Sequence, residues 1–343
     1  MKKSFFDLVV DQWSTVPPVE TADLSGKTVV VVGANVGIGF EAAKHFARMN
    51  PARLIIACRS ESKGKAAQAE IQTVCGYKPC ELWLLDLASF SSVEDFADKF
   101  QRECDRLDIL VMNAGIATRV YQPTVDDWES TLQVNHLSTA LLSLLLLPGM
   151  IDTGKKSGSA SRLVIVSSDV HYWAVIKDEV KQASKPIAKL NSEDYRTPQA
   201  MGARYLDSKL LNVFFVRALQ NRLLSTTPLT ANAVNPGFCY SSLRREFYEK
   251  PLTNMIMCVW EKLMAWTSEQ GSRQLVYAAI AERDKEDHMK GAFVSKAEVV
   301  EPSDFVLSED GKRMQEAVWS ETVEILTKEA PQLRSILQEH LAS

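Results

Sequence analysis

The chain has no excess of basic residues: 39 Lys and Arg stand against 43 Asp and Glu, a formal charge of −4 over 343 residues. Binding a phosphate backbone needs a basic stripe, so nucleic acid is a poor partner and any cationic site must be local. The six cysteines (Cys58, Cys75, Cys80, Cys104, Cys239 and Cys258) include no Cys-x-x-Cys pair and no Cys/His ligand spacing. That argues against structural zinc and against a disulfide framework, and reduced thiols in a cytoplasmic protein are the expectation. No apolar run approaches the ~18 residues of a membrane span. The strongest, Leu141 to Met150, meets Pro148 and Gly149 and reads as a buried helix end. The stretch from Met1 to Val10 carries two lysines and is broken by Asp7, too short and too charged for an export signal. A Gly-x-Ser-x-Gly elbow is missing as well, which disfavours a Ser-His-Asp hydrolase.

What is present is the composition of a globular domain, 46% apolar and 24% charged, sufficient to bury a full core. Residues 1–26 read as an N-terminal extension in which Pro17 and Pro18 break any regular element before the first strand. Lys27–Val32 is a β-branched run, followed by strand-like runs at Arg53–Cys58, Glu81–Leu85, Ile109–Met112, Arg162–Val166 and Thr230–Val234. Helical spacing falls between them, at Phe40–Met49, Lys63–Val74, Val93–Arg102, Trp128–Leu147 and Leu206–Leu224. Strands alternating with helices predict an α/β fold: a Rossmann-like doubly wound parallel sheet in one domain over residues 27–300. Residues 301–343 form a C-terminal extension with helical patterns around Lys312–Leu326 and Pro331–Leu341, either capping the sheet or assisting association. Asp169 to Arg204 is longer than a usual connection, and such loops tend to carry function.

Val29–Val32 runs into Gly33-Ala34-Asn35-Val36-Gly37-Ile38-Gly39, a strand, three glycines and then a helix. That order lets backbone approach a pyrophosphate at a helix N-terminus, where free N–H groups and the dipole favour an anion. The second strand ends Ala57-Cys58-Arg59-Ser60. An acidic residue there would bind a ribose 2′-hydroxyl; here there is none, and Arg59 offers a planar cation for a 2′-phosphate, with Lys63 adding charge. NADP(H) is therefore expected over NAD(H).

Tyr205-Leu206-Asp207-Ser208-Lys209 opens a helix, and the four-residue separation places Tyr205 and Lys209 on one face. A free phenol titrates near pH ~10, but a neighbouring ammonium favours phenolate, which lets Tyr205 act as general acid in reduction and general base in oxidation.

With these pieces in order, the chain resembles the short-chain dehydrogenase/reductase superfamily, in particular its retinol-dehydrogenase-like branch, over roughly residues 25–300. The resemblance rests on Gly33 to Gly39, Ala57-Cys58-Arg59, Leu85-Asp86-Leu87, Asn113-Ala114-Gly115, Asn135, Ser167-Ser168, Tyr205 to Lys209 and Asn235-Pro236-Gly237. It implies that Ser168 hydrogen-bonds the substrate oxygen, that Lys209 contacts the nicotinamide ribose, and that Asn135 holds a proton-relay water against Lys209. It further implies that Asn35, Val36 and Ile38 join the glycines around the pyrophosphate. Asp86 and Leu87 would meet the adenine, Asn113, Ala114 and Gly115 the adenosine side, and Pro236, Gly237 and Ser241 the nicotinamide carboxamide. Val32 stands where the family commonly has threonine, and Met112 where it has the first asparagine of Asn-Asn-Ala-Gly; both positions bear on sheet geometry rather than hydride transfer.

Two stretches are expected to wall the substrate. One carries Val170, His171, Tyr172 and Trp173; the other runs from Phe238 and Tyr240 through Met255, Ile256, Met257, Val259 and Trp260 to Met264 and Trp266. Such walls suit a lipophilic terpenoid, retinoid, steroid or polyketide-like carbonyl compound. The competing account makes these residues the packing of a helical lid or a subunit contact. His171 has no partner legible in the sequence and is taken as a lining residue. Two rival functions stand beside the oxidoreductase: an NADP(H)-binding sensor or interaction protein without turnover, and a dehydratase or epimerase that uses the cofactor transiently. Monomer and homo-oligomer are both open.

Overall fold

The computed structural model describes residues 3–240, 243 and 261–342. Eight strands form one sheet: β1 (Thr28–Val32), β2 (Arg53–Cys58), β3 (Cys80–Leu84), β4 (Ile109–Met112), β5 (Ser161–Val166), β6 (Leu229–Val234), β7 (Phe293–Ser295) and β8 (Glu298–Val300). Their spatial order is β3-β2-β1-β4-β5-β6-β7-β8. All pairs are parallel except β7 with β8. The expected α/β doubly wound sheet is the one observed.

Strand β1 is buried along its whole length, as a parallel strand covered on both faces must be. Val30 and Val32 face one apolar core and Val29 and Val31 the other, so alternate residues of one strand serve two helix layers. The first layer holds α4 (Phe90–Glu103), α5 (Ser138–Leu145), α6 (Leu147–Ser157) and α7 (Pro198–Arg222); the second holds α2 (Gly37–Arg48), α3 (Glu61–Val74) and α8 (Ser268–Ile280). Helix α4 shows the local logic. Ser89 caps its first turn, Phe90, Val93, Phe96, Ala97 and Phe100 recur at helical spacing, and Trp83 of β3 meets Phe96 edge to face with ring centroids 5.3 Å apart.

Several elements differ from the sequence expectation. The predicted helix Trp128–Leu147 is interrupted by a π turn over Gln133–Leu137, where the Thr139 hydroxyl donates to the Val134 carbonyl at 3.2 Å. A hydroxyl competing for a backbone acceptor disturbs the ordinary ladder. Helix α7 begins at Pro198, capped by Thr197, inside the stretch read as a long loop. Because α7 is buried without a break from Asp207 to Val216, its apolar pattern has no amphipathic period to mark where it starts. The rest of that stretch holds 3-10 turns at Asp169–Trp173 and Glu193–Tyr195 and short helices at Asp178–Lys181 and Pro186–Asn191. No single helix among the described residues is long and apolar enough to cross a membrane, and the apolar pair Ser130–Leu145 and Leu147–Ser157 is bent by 47°.

The described segments before β1 and after β8 fold onto the domain. Helix α1 (Phe5–Trp13) lies in the segment read as irregular, and its Gln12 is buried. At the other end, α9 (Glu309–Glu329) stacks Trp319 on Phe215 of α7 at 5.8 Å, and its Glu321 carboxylate accepts the Ile187 and Ala188 amides. Helix α10 (Leu333–His340) adds Leu333 to the same core.

The two-residue turn between β7 and β8 places Lys296 at φ 54° and Ala297 at φ 56°. Two consecutive left-handed residues are the geometry for which hairpins ordinarily recruit Asn-Gly, and a Cβ there costs about 1–2 kcal/mol. The Ala297 amide donates to Gln274 Oε1 at 2.6 Å and the Lys296 ammonium reaches Asp11, contacts that offset the cost. Replacing Ala297→Gly keeps both contacts and removes the Cβ; it is expected to raise the unfolding free energy by up to about 1 kcal/mol in urea titration.

Candidate active site

The strand order reverses between β1 and β4, and a crevice opens at such a switch point, beyond the carboxyl ends of the strands. It is a cleft of about 730 Å³. Gly33, Asn35, Val36, Gly37 and Ile38 form its floor, Arg59 and Lys63 one rim, Asp86, Leu87, Asn113, Ala114 and Gly115 one wall, and Tyr205, Lys209 and Pro236 the far end.

Close approach explains the glycines. A Cβ on Gly33 would sit 2.7 Å from the Ala114 backbone, and Gly33 holds φ +80°. A Cβ on Gly39 would fall 2.3 Å from Asn113 Nδ2, the atom that donates to the Gly33 carbonyl at 2.9 Å. Gly39 is thus buried behind the loop rather than on the cleft. The N-cap of α2 is Val36, which supplies no side-chain acceptor. The first-turn amides of that helix are therefore available to an anion, and the loop fits a pyrophosphate.

At the far end, the Lys209 ammonium lies 5.5 Å from the Tyr205 ring centroid and donates to the Val166 carbonyl at 2.8 Å. Burial pushes its pKa down to about 8. Asn135 organises the same region from the π turn. Its Nδ2 donates to the Ile116 carbonyl at 2.9 Å and to Ser208 Oγ at 3.0 Å, while its Oδ1 accepts the Ile116 amide at 2.8 Å. Ser208 Oγ in turn donates to the Tyr205 carbonyl. A Cβ on Gly115 would stand 3.3 Å from Asn135 Oδ1 and 3.6 Å from Lys209 Nζ, so the loop, the asparagine and the amine are neighbours. Behind Tyr205, Arg204 is buried and donates to the Tyr195 carbonyl at 3.0 Å, which holds the start of α7. Burial pushes the Asp207 carboxyl up to about 7 against the opposing pull of Arg204.

Ser167 lines the cleft, its hydroxyl donating to the Lys209 carbonyl at 2.8 Å. Ser168 follows, half-buried and extended, its Oγ accepting the Val170 amide at 3.3 Å. Asp86 both lines the cleft and caps a turn, accepting the Ala88 amide at 2.9 Å. Gly237 sits at φ +79° directly against Trp266.

The residues expected to wall the substrate are placed differently. His171 is buried: its Nδ1 donates to the Ser168 carbonyl at 2.8 Å and its Nε2 accepts the Ser303 amide at 3.2 Å. Only the neutral Nδ1–H tautomer satisfies both bonds, so His171 is a structural histidine and not a lining one. The Tyr172 hydroxyl donates to the Glu301 carbonyl and its ring packs against His171. Val170 is half-buried on the same 3-10 turn. Phe238 engages Gln12 through its backbone, Tyr240 is 41% exposed, and Trp266 is buried with Val16 and Cys239. None of Val170, His171, Tyr172, Phe238 and Tyr240 is among the residues that line the cleft, and Ser168 and Gly237 stand just outside that lining beside Ser167 and Pro236, which belong to it. Met264 and Trp266 follow the packing account of that stretch. Ser241, Met255, Ile256, Met257, Val259 and Trp260 lie outside the described residues. The sequence reading missed Ile116, Thr118, Gln122 and Val134 on the cleft wall; their signal was adjacency to Asn113-Ala114-Gly115 and Asn135.

Comparison with known proteins places this geometry. Residues 27–186 match the family model described as short chain dehydrogenase. The short chain dehydrogenase/reductase dmxR8 of Cryptosporiopsis sp. is 38% identical over 93% of this chain and 96% of its own. The short chain dehydrogenase sol3 of Alternaria solani is 40% identical over 82% of this chain and 92% of its own. Among solved structures, a putative uncharacterized protein from Mycobacterium paratuberculosis is 30% identical with a TM-score of 0.65, covering 91% of this chain and 98% of that one. The Pseudomonas aeruginosa RhlG/NADP complex shares the fold at 20% identity and a TM-score of 0.59, covering 80% of this chain and 95% of that one.

The buried imidazole gives a pH signature. Burial pushes His171 down to about 4, so it stays neutral in the folded chain while an unfolded histidine protonates near ~6.5. The unfolded state then binds more protons, and stability falls as pH drops from ~6.5 toward about 4, by about 1.4 kcal/mol per pH unit for this group. Urea titrations across that range are expected to show a shallower slope in His171→Asn than in the wild type; equal slopes would mean the imidazole titrates alike in both states.

Proposed function

The chain belongs to the short chain dehydrogenase family and is an oxidoreductase, and from that premise we propose that it interconverts a carbonyl and an alcohol on a lipophilic small molecule with NADP(H). The observation that carries the reading is the buried Lys209 amine one helical turn from Tyr205, at the end of a cleft whose floor is an open helix N-terminus. NADP(H), when bound, supplies or accepts the hydride. In reduction Tyr205 gives its phenolic proton to the carbonyl oxygen as the carbon gains the hydride; in oxidation the phenolate takes the proton of the alcohol. Lys209, largely an ammonium at neutral pH with its pKa near 8, stabilises the phenolate. Ser168 holds the substrate oxygen. Asn135 positions Ser208 and the Ile116 loop around the pair through three hydrogen bonds.

The choice of NADP(H) rests on Arg59, exposed on the cleft rim beside Lys63, with no carboxylate at the end of β2. Asp86, Leu87 and Asn113 to Gly115 suit the adenosine side, and Pro236, Gly237 and Ser241 the nicotinamide side. A lipophilic substrate is favoured by the apolar lining around Tyr205, where Ile116, Val166, Pro236 and Leu243 stand. A catalytically silent sensor on the same fold would use Lys209 for the cofactor ribose but has no use for Tyr205 beside it.

Two measurements test the reading. Tyr205→Phe is expected to lower kcat for carbonyl reduction by about 10²–10⁴-fold while NADPH still quenches protein fluorescence with unchanged affinity. Retained turnover would remove Tyr205 from the chemistry, and NADPH binding without oxidation across a wide carbonyl panel would favour the sensor. Arg59→Asp is expected to lower the preference for NADPH over NADH by at least tenfold, equivalent to about 1.4 kcal/mol; an unchanged ratio would exclude Arg59 from the 2′-phosphate site.

A further inference from the structure

Helix α1 bonds the loops that leave the carboxyl ends of β6 and β7, and Lys3, just ahead of its Ser4 cap, bonds the loop that leaves β5. Its Gln12 is 6% exposed. The side-chain amide of Gln12 pairs with Phe238 as a neighbouring strand would: Oε1 accepts the Phe238 amide at 2.9 Å and Nε2 donates to the Phe238 carbonyl at 2.9 Å. The same Nε2 donates to the Met264 carbonyl at 3.0 Å, and the Gln12 carbonyl accepts Trp266 Nε1 at 2.8 Å. Phe238 is two residues past Pro236, which lines the cleft.

Lys3, immediately before the helix, holds the other side of the site. Lys3 Nζ donates to Asp169 Oδ2 at 2.9 Å and to Asp11 Oδ2 at 2.8 Å, and the Lys3 carbonyl accepts Trp173 Nε1 at 2.7 Å. Asp169 follows Ser168 directly. Asp11 is held in turn by Lys296 of the β7–β8 hairpin at 2.6 Å. A single acceptor closes the circuit between the two loops, because Asn235 Oδ1 accepts both the Asp169 amide at 3.1 Å and the Gly237 amide at 3.2 Å.

We propose that α1 is a strap that sets the spacing between the Ser168 loop and the Pro236–Phe238 loop, with Gln12 and Lys3 as positioning residues for hydride transfer. The proposal rests on the carbonyl–alcohol reading above. Its physical ground is the tolerance of the chemistry. A misplacement of about 1 Å between reacting groups costs up to about 10²-fold in rate, and loops bearing such groups need partners that fix them. Asn235, just past the end of β6, and the segment 3–13, from outside the sheet, each bond both loops. Neither Gln12 nor Lys3 is among the residues that line the cleft, so both act through the loops and not on the cofactor floor.

The test uses the full chain, NADPH and phenanthrenequinone as a flat apolar carbonyl probe, with amide hydrogen exchange measured in parallel. Gln12→Ala is expected to lower kcat or raise KM for the quinone by about tenfold or more. Its Kd for NADPH should stay within about twofold of wild type, and exchange should quicken at Gly237, Phe238 and Trp173 but not across Gly33–Gly39. If Gln12→Ala does not fold, Gln12→Glu, which keeps the acceptor for the Phe238 amide and loses the donor, should show the same split in weaker form. Lys3→Met should behave as Gln12→Ala does, and Lys3→Arg should recover turnover to within about twofold, since the charge facing Asp169 is kept. Variants that exchange faster yet keep wild-type kcat and KM overturn the positioning role and leave the carbonyl reading intact. A wild-type chain that binds NADPH but reduces neither the quinone nor a wide carbonyl panel overturns the carbonyl reading, and the role with it. The two failures are distinct, because the first appears only between variants and the second already in the wild type.

Discussion

A primary amine held away from water is the constraint around which this molecule is arranged. Lys209 donates to the Val166 carbonyl at the very end of β5, so the charge is fixed by a strand terminus and presented by a helix. For that contact to exist, α7 must lie across the sheet with its buried face inward, and the Asn113–Ile116 loop must close over the amine. Asn135 pins that loop, and the π turn sets Asn135 where it reaches both Ile116 and Ser208. The irregular turn, costly inside an apolar helix, is thereby matched to a specific set of hydrogen bonds.

Much of this was legible in the residues alone. Six strands were legible as short strand-like runs, and those covered on both faces, such as Val29–Val32 and Ile109–Met112, have no polar side to interrupt them. Their observed bounds shift by no more than a residue at either end from the expected ones. The short pair β7 and β8 was not legible, since three residues per strand carry no pattern and the hairpin is held instead by Gln274 and by Lys296 with Asp11. Helix α1 escaped for a related reason. Two prolines follow it, and its docking depends on one glutamine whose partners lie more than two hundred positions away. The glycine loop and the Tyr205–Lys209 pair were visible because their chemistry is local in sequence. The role of His171 was not, because what fixes its tautomer is the backbone of Ser303, far along the chain.

The substrate-side aromatics illustrate how composition misleads about direction. Aromatic richness near a site says that large rings are close by, not which way they face. Here His171, Tyr172 and Phe293 form one ring cluster, and Trp266 sits under Gly237 where no other residue type could leave it room. These rings stiffen the frame behind the cleft, and its lining falls to smaller apolar groups such as Ile116, Val134 and Pro236.

The contacts made by α9 bear on the order in which the chain matures. Thr322 meets His136 inside the π turn at 3.0 Å, and Glu321 caps the helix Pro186–Asn191. Domains emerge from the ribosome N-terminal end first. A nascent chain can therefore assemble the first six strands and the glycine loop before residues near 320 are synthesised, but the turn bearing Asn135 gains its back support only once α9 has been made. The nucleotide floor can thus form before the catalytic wall has its support, and α9 acts as the latch on the second of them.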